Sequence, residues 1–488
     1  MLSNSSVLSP LGFGFTKSSH VVVKNRIIPI IRSSNLTTTI TSMRTKSTSV
    51  RFRRIDVTPD PILNITPSPR SSHGLSALSC GTRLVLYGGE GTPTTPVADA
   101  HQALWLAERT STKSVSRPSS VWKYPFDHPT ENDRWQWKSI PHHSSSTSAT
   151  DDATTAAVPP PRAGHSQVSI GNITYIMGGI GTNQRTLNDM WKLEIIRDDD
   201  DDDELIAKWT QVRTTKSNDS NAVVPMPRSY HRMITIDNSL YLFGGCGGST
   251  TADDEHDSDN DQRQYWLNDL WKFDTIHETW TPLGKSHLLS GGAGPAMLSL
   301  NKTPGNYDSR IAVFAAAGEG GDHDNNNNNN NNNEESTIVD GHIYSASTAS
   351  WELNGLSSDD DDILLCNNKL SERTASCFGS FPKLNRCLIF GGKFDSSSFE
   401  NDIVILDGTS GTILDVLSSP TSQLELDVGL VEDNMPSWPE ARGYADGCVG
   451  MDGETMYIFG GLTAGDDNIN GAPKRLNDLW ECKVVVND

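Results

Sequence analysis

Residues 225–283 read PMPRSYHRMITIDNSLYLFGGCGGSTTADDEHDSDNDQRQYWLNDLWKFDTIHETWTPL, and this stretch decides the fold. MITI and SLYLF are short apolar runs, and LWKFD and TWTPL alternate, so the segment reads as four short strands rather than helices. Gly244 and Gly245 close the second strand. Such a pair suits a strand end where the backbone bends or meets a neighbour with no Cβ in the way. Trp271 and Trp280, nine residues apart, supply large flat surfaces for packing one such unit on the next.

The same order of features recurs along the chain at a spacing of about 65 to 90 residues, the sign of a repeat architecture. One copy runs PPPRAGH from Pro159, ITYIMGG to Gly178-Gly179, LNDMWKLE with Trp191, and Trp209 to Val212. The first has PSPRSSH from Pro67, RLVLYGG to Gly88-Gly89, a weaker ALWLAE around Trp105, and Trp137. Two copies are eroded, and offsets identify them. His342 to Trp351 repeats the nine-residue step, with Ala315 and Ala316 in the glycine places. The fifth has Gly391-Gly392, then ENDIVILD with Val404 and Ile413 at the two tryptophan positions. The sixth has Gly460-Gly461 and LNDLWECK with Trp480, and lacks an outer strand of its own.

A four-stranded unit cannot bury both faces alone, so six of them should close into a ring. The missing strand can come from the other end of the chain. Phe52-Arg-Arg-Ile55 precedes Arg70 by eighteen residues, close to the nineteen between Trp209 and Arg228. Residues of about 50 to 58 are therefore expected to pair beside Leu479 to Val485.

Taken together, Gly-Gly and LND-x-Trp over residues 50 to 486 resemble the kelch-repeat β-propeller family. The resemblance implies an all-β fold: a six-bladed propeller at 50–488, its fourth and fifth blades degenerate, closed by an N-terminal strand pairing with the C-terminal blade. It implies partner binding as the commonest role and does not fix a function.

Composition narrows the function classes. The chain carries a formal charge of −21, yet residues 1–54 hold nine Lys or Arg and no acid, which leaves about −30 on the rest. A body that acidic repels phosphate backbones and anionic membranes, so no nucleic-acid partner is expected. No apolar run is long enough for a membrane span. The first forty-nine residues are about one third Ser and Thr, the composition of a mitochondrial or plastid transit peptide; a plain disordered tail on a cytoplasmic protein is the alternative. Seven cysteines without any C-x-x-C read as free buried thiols.

Long b–c and d–a segments should emerge together on one face of such a ring, where binding usually resides. Arg185, Arg263, Lys474 and Arg475 stand just before the LND turns and form a candidate ring of positive charge for an acidic peptide; the plainer reading pairs each with a nearby carboxylate. Tyr265 and Trp266 are candidate aromatic anchors. His73, His165 and His231 share one repeat position and are read as blade parts, not metal ligands. Arg70, Arg162, Arg228, Arg373 and Arg442 are expected to bond between blades. Asp257-x-Asp259-x-Asp261 lacks the glycine and glutamate of a calcium loop. The sequence thus points to a monomeric protein-binding scaffold or adaptor, without cofactor and without catalytic residues. The alternative is a small-molecule or metal-dependent enzyme with its site at the channel mouth.

Overall fold

The computed structural model describes residues 47–110, 134–140, 158–197, 205–212, 223–248, 264–286, 292–303, 308–314, 342–353, 373–393, 398–419, 438–465 and 473–487. Residues 1–46 of the transit-like segment, Ala315-Ala316, Cys366 and the Asp257–Asp261 string lie outside these residues. A compact unit spans Lys46–Asp488.

Six antiparallel sheets account for the six copies. With strands labelled a to d, blade 1 comprises Gly74–Ala77, Arg83–Tyr87, Leu104–Thr110 and Arg134–Ser139. Blade 2 comprises Ser166–Ile170, Ile173–Gly181, Thr186–Arg197 and Leu205–Gln211. Blade 3 comprises Arg232–Ile236, Ser239–Phe243, Asp269–Asp274 and Thr279–Lys285. Blade 4 comprises Ala296–Leu300, Arg310–Phe314, His342–Ser345 and Ser350–Leu353. Blade 5 comprises Cys377–Phe381, Arg386–Lys393, Phe399–Asp407 and Ile413–Leu417. Blade 6 takes Asp446–Val449, Thr455–Thr463 and Lys474–Val486 from the C-terminus, and its d strand is Thr48–Ile55. Each a strand touches the a strands of both neighbouring blades, so the ring is closed and the a strands surround its axis.

One register runs through all six blades. The outer-strand residue at the second tryptophan position lies opposite the residue two beyond the first. The pairs are Trp137 with Ala107, Trp209 with Leu193, Trp280 with Phe273, Trp351 with Tyr344, Ile413 with Leu406, and Phe52 with Cys482. The two-residue offset puts both aromatic positions of a blade on the same face of the sheet, because side chains alternate with period two. Six apolar clusters result, each spanning one blade junction. In the junction of blades 5 and 6, Phe52 lies 4.6 Å from Trp438 and 5.3 Å from Phe390 between ring centroids.

Closure follows the expected route with one correction. The N-terminal strand pairs Thr48 with Val486 through Ile55 with Leu479, beginning two residues earlier than residue 50. Its expected end at residue 58 is not on blade 6. Val57–Thr58 instead crosses to blade 1 and pairs in parallel with Trp135–Gln136. Asp60 then fixes the turn: one carboxylate oxygen accepts the amides of Ile62 and Leu63, and the other accepts that of Ser139. The first dozen described residues thus tie blade 6 to blade 1.

Most long connections start from strand ends on the b–c and d–a side, yet strand c of blade 1 ends at Thr110 and strand d begins at Arg134, both strand ends on the opposite side. Cys246, Cys377, Cys387 and Cys482 are buried free thiols, whereas Cys80, in the a–b turn of blade 1, is exposed and Cys448 is half-buried. No helix among the described residues is long and apolar enough to cross a membrane.

Candidate functional site

The loop face is held by a lattice that begins with the Pro-x-Arg segment. Arg162 donates through Nη1 and Nη2 to both carboxylate oxygens of Asp189, each at 2.8 Å, and through Nη1 to the Gly178 carbonyl. Arg228 with Asp269, Arg373 with Asp402, and Arg442 with Asp478 repeat the fork. Trp191, Trp271 and Trp480 each donate Nε1 to the same aspartate two residues earlier, at 2.6 Å. The Asp of LND is thus the junction between the arginine that precedes strand a and the tryptophan of strand c. Blade 1 has no such aspartate; a single helical turn, Ala100–Ala103, places Gln102 there to accept from Arg70 at 3.2 Å.

These guanidinium contacts lie within one blade, which corrects the expected bonding between blades. What crosses the junction is the arginine's own carbonyl. The second glycine of each preceding blade donates to it: Gly89 to Arg162, Gly179 to Arg228, Gly392 to Arg442 and Gly461 to Arg70, at 2.8–3.0 Å. A guanidinium needs several acceptors at fixed angles, and its own sheet supplies them.

Burial alone would push Asp189, Asp269 and Asp478 up, but the hydrogen bonds and charge of their arginines outweigh it and hold all three below the usual carboxylate range. The ionised form is the one that favours folding, so this contribution is complete above the unfolded pKa of about 3.9 and is lost as pH falls below that. Arg228→Ala would strand Asp269 as an unpaired buried charge. We expect it to cost about 3–5 kcal/mol at pH 7, with the gap to the parent narrowing toward pH 4 as Asp269 protonates. Urea unfolding at the two pH values checks this, and a gap independent of pH would refute the assignment.

Beneath this lattice lies a collar around the axis. The residue two beyond the arginine position has positive φ in every blade: Ser72, Gly164, Tyr230, Gly294, Ala375 and Tyr444, at +52 to +66°. This turn points each amide at the preceding blade. Ser72 donates to Tyr444, Gly164 to Ser72, Tyr230 to Gly164, Gly294 to Tyr230, Ala375 to Gly294 and Tyr444 to Ala375, at 2.6–3.0 Å. Six backbone hydrogen bonds therefore run head to tail in a closed circle. The rings of Tyr230 and Tyr444 meet edge to face at 5.9 Å.

His73, His165 and His231 are buried just inside the collar, each at a different junction, as blade parts. An added Cβ at Gly460, Gly88 or Gly178 of the preceding blade would lie 2.9–3.1 Å from their Cε1 atoms. Burial lowers the pKa of all three, that of His165 to about 3, so they are neutral.

Of the candidate binding residues, Arg185 and Lys474 are exposed on the loop face. Arg475 is turned inward at 7 % exposure, donating Nε to the Glu90 carbonyl and lying 3.6 Å from its carboxylate. It belongs to the seam between blades 6 and 1, not to a ring of free charge. Arg263 lies outside the described residues, as does the side chain of Tyr265. Trp266 is half-buried in a small ladder of Gln264–Trp266 with Cys246–Gly248. Sequence reading did not single out an arc of exposed apolar side chains on three successive d–a links: Ile62 and Leu63, then Val158, then Val223 and Met226. Their segments are Pro-rich links, and only the ring order places the three links on successive blades.

A closed six-bladed ring with Arg–Asp–Trp junctions and Gly-Gly hinges defines a kelch-type propeller. The chain belongs to that family: the model of the KLHDC2/KLHL20/DRC7 Kelch-repeats domain matches residues 37–281 and again 127–352. No curated protein matches the chain. Among solved structures, the one titled "Structure of YjhT" is 15 % identical, with 87 % of this chain and 98 % of that chain covered and a TM-score of 0.45.

Proposed function

We propose that this propeller is a protein-binding scaffold whose partner docks on the b–c and d–a loop face. The exposed apolar arc carries the reading. Ile62 is 90 % exposed and Val223 56 %, on links anchored directly to the rigid collar, and apolar groups held in water on a fixed frame suit a partner's surface. Arg185 and Lys474 near the same face favour acidic side chains around the apolar contact. Kelch propellers commonly act as interaction scaffolds, which supports binding rather than catalysis as the activity.

The test uses the full chain as bait with cross-linking before capture. A partner recovered by the parent should be depleted at least about tenfold by Ile62→Asp with Val223→Asp, the loss of one or two anchors of about 1.4 kcal/mol or more. Arg185→Glu with Lys474→Glu should weaken it in a salt-dependent way. Retention by both loop-face variants, with loss on Ile276→Asp on the other face, would refute the placement.

A further inference from the structure

The a strands enclose a cavity of about 260 Å³ along the axis. Its lining reaches the exposed Met451 in the a–b turn of blade 6 and includes none of the collar residues. The loop-face end is shut by two successive pairs that cross the axis. Blades 3 and 6 are diametrically opposed in a six-bladed ring, and they alone carry tyrosine in the collar. Two residues further along the same strands, Arg232 and Asp446 face each other at 3.8 Å. At that level the other four blades have only Gly74, Ser166, Ala296 and Cys377. The channel is therefore a blind pocket, open toward the a–b turns, with an ion pair as its floor.

That ion pair is loosely made. Nη2 of Arg232 reaches the Ser376 carbonyl at 3.4 Å, its Nε is buried without an acceptor among the described residues, and its guanidinium lies 5.6 Å over the Phe378 ring. A guanidinium has five N–H donors in a planar fork suited to a carboxylate, and here, among the described residues, only Nη2 has a hydrogen-bond acceptor. Asp446 accepts the Leu75 amide at 2.7 Å through one oxygen, and its other oxygen faces Arg232. A lone anion added to this balanced pair would leave net negative charge in a confined site. A ligand carrying both signs would not: its carboxylate can take the Arg232 fork while its ammonium takes the Asp446 oxygen that faces Arg232. The walls above the floor mix Met233, Met297 and Phe378 with the hydroxyls of Ser169, Ser299 and Ser380. The volume falls just under the range of roughly 300–1,000 Å³ typical of drug-sized ligands, which fits a metabolite and not a peptide.

We propose that this pocket is a second site, separate from the loop face, that takes a small zwitterion of the α-amino-acid class with its carboxylate on Arg232 and its ammonium on Asp446. The test is calorimetric titration of the full chain with the common L-amino acids, each beside its carboxamide and its decarboxylated amine. At least one amino acid should saturate with a millimolar or tighter constant, and its amide and amine should bind at least about tenfold more weakly. Arg232→Met with Asp446→Leu removes both charges at similar volume, a change that folds readily in buried pairs; it should abolish binding, while Ile62→Asp should leave it unchanged. No saturation by any amino acid up to about 10 mM with folded parent protein, or binding that survives the double variant, would overturn the proposal.

Discussion

A chain that begins at Asp56 should lose the native ring, whereas one that begins at Lys46 should unfold at the same urea concentration as the parent. The first deletion strips eight paired positions from Lys474–Val486 and leaves that strand as a sheet edge. It also uncovers Trp480, Cys482 and Val484, all less than 10 % exposed in the closed ring. Phe52→Ala alone should cost about 3–5 kcal/mol, the range for truncating a buried aromatic. Loss of the whole strand exceeds that and approaches the 5–15 kcal/mol that holds a typical domain together, so aggregation through the open edge is expected. Any proteolytic trimming of the basic N-terminal segment is compatible with the ring only upstream of Thr48. Equal stability of the two truncations would mean that blade 6 does not need its borrowed strand.

The second large effect is expected at Gly245. Its φ is +93°, and an added Cβ would lie 2.5 Å from the Ser229 carbonyl oxygen and 2.8 Å from His231 Cβ. Its amide also donates to the Gly292 carbonyl across the junction to blade 4, at 3.1 Å. Gly245→Val should therefore cost more than about 4 kcal/mol, combining a backbone clash with a β-branched residue at positive φ. Gly284 in the same blade separates the two causes, because its φ is +101° and nothing lies within 4 Å of its missing Cβ. Gly284→Val should cost only the conformational strain of about 1–2 kcal/mol. Chemical denaturation of both variants decides this; similar losses would show that strain alone, and not close approach, requires Gly245.

The repeat was legible because its chemistry is local. Gly-Gly, LND-x-Trp and the nine-residue aromatic step each mark one strand end or one register, and the same offsets located the eroded fourth and fifth blades. Phe52 was found by the same arithmetic, since the missing d strand of blade 6 had a fixed distance to the next arginine. Partner assignments between elements were less accessible. The arginine and aspartate of the Arg162–Asp189 pair recur together in blades 2, 3, 5 and 6, yet periodicity cannot say whether the pair closes within a blade or between blades, because either choice repeats identically. The crossing of Val57–Thr58 to blade 1 was hidden for another reason: two residues of parallel pairing leave no pattern.

The channel floor shows the remaining gap. Tyr230 and Tyr444 stand two residues after their arginines, as Arg232 and Asp446 stand four after, and all four positions could be read from the repeat. Their meaning depends on blades 3 and 6 being opposed, which requires the blade count and closure first. Arg475 failed as a surface cation because its partner Glu90 comes from the far end of the chain, 385 residues away, across the seam that closure creates.

The most direct measurement is hydrogen exchange at the collar amides of Ser72, Gly164, Tyr230, Gly294, Ala375 and Tyr444, in the full chain and in the chain beginning at Asp56. A closed circle opens only when the ring opens, so in the full chain all six should exchange together at the rate of global unfolding, and in the truncated chain all six should lose protection together. Fast exchange at one collar amide while its neighbours stay protected in the full chain, or full protection in the truncated one, would contradict a propeller locked by its N-terminal strand.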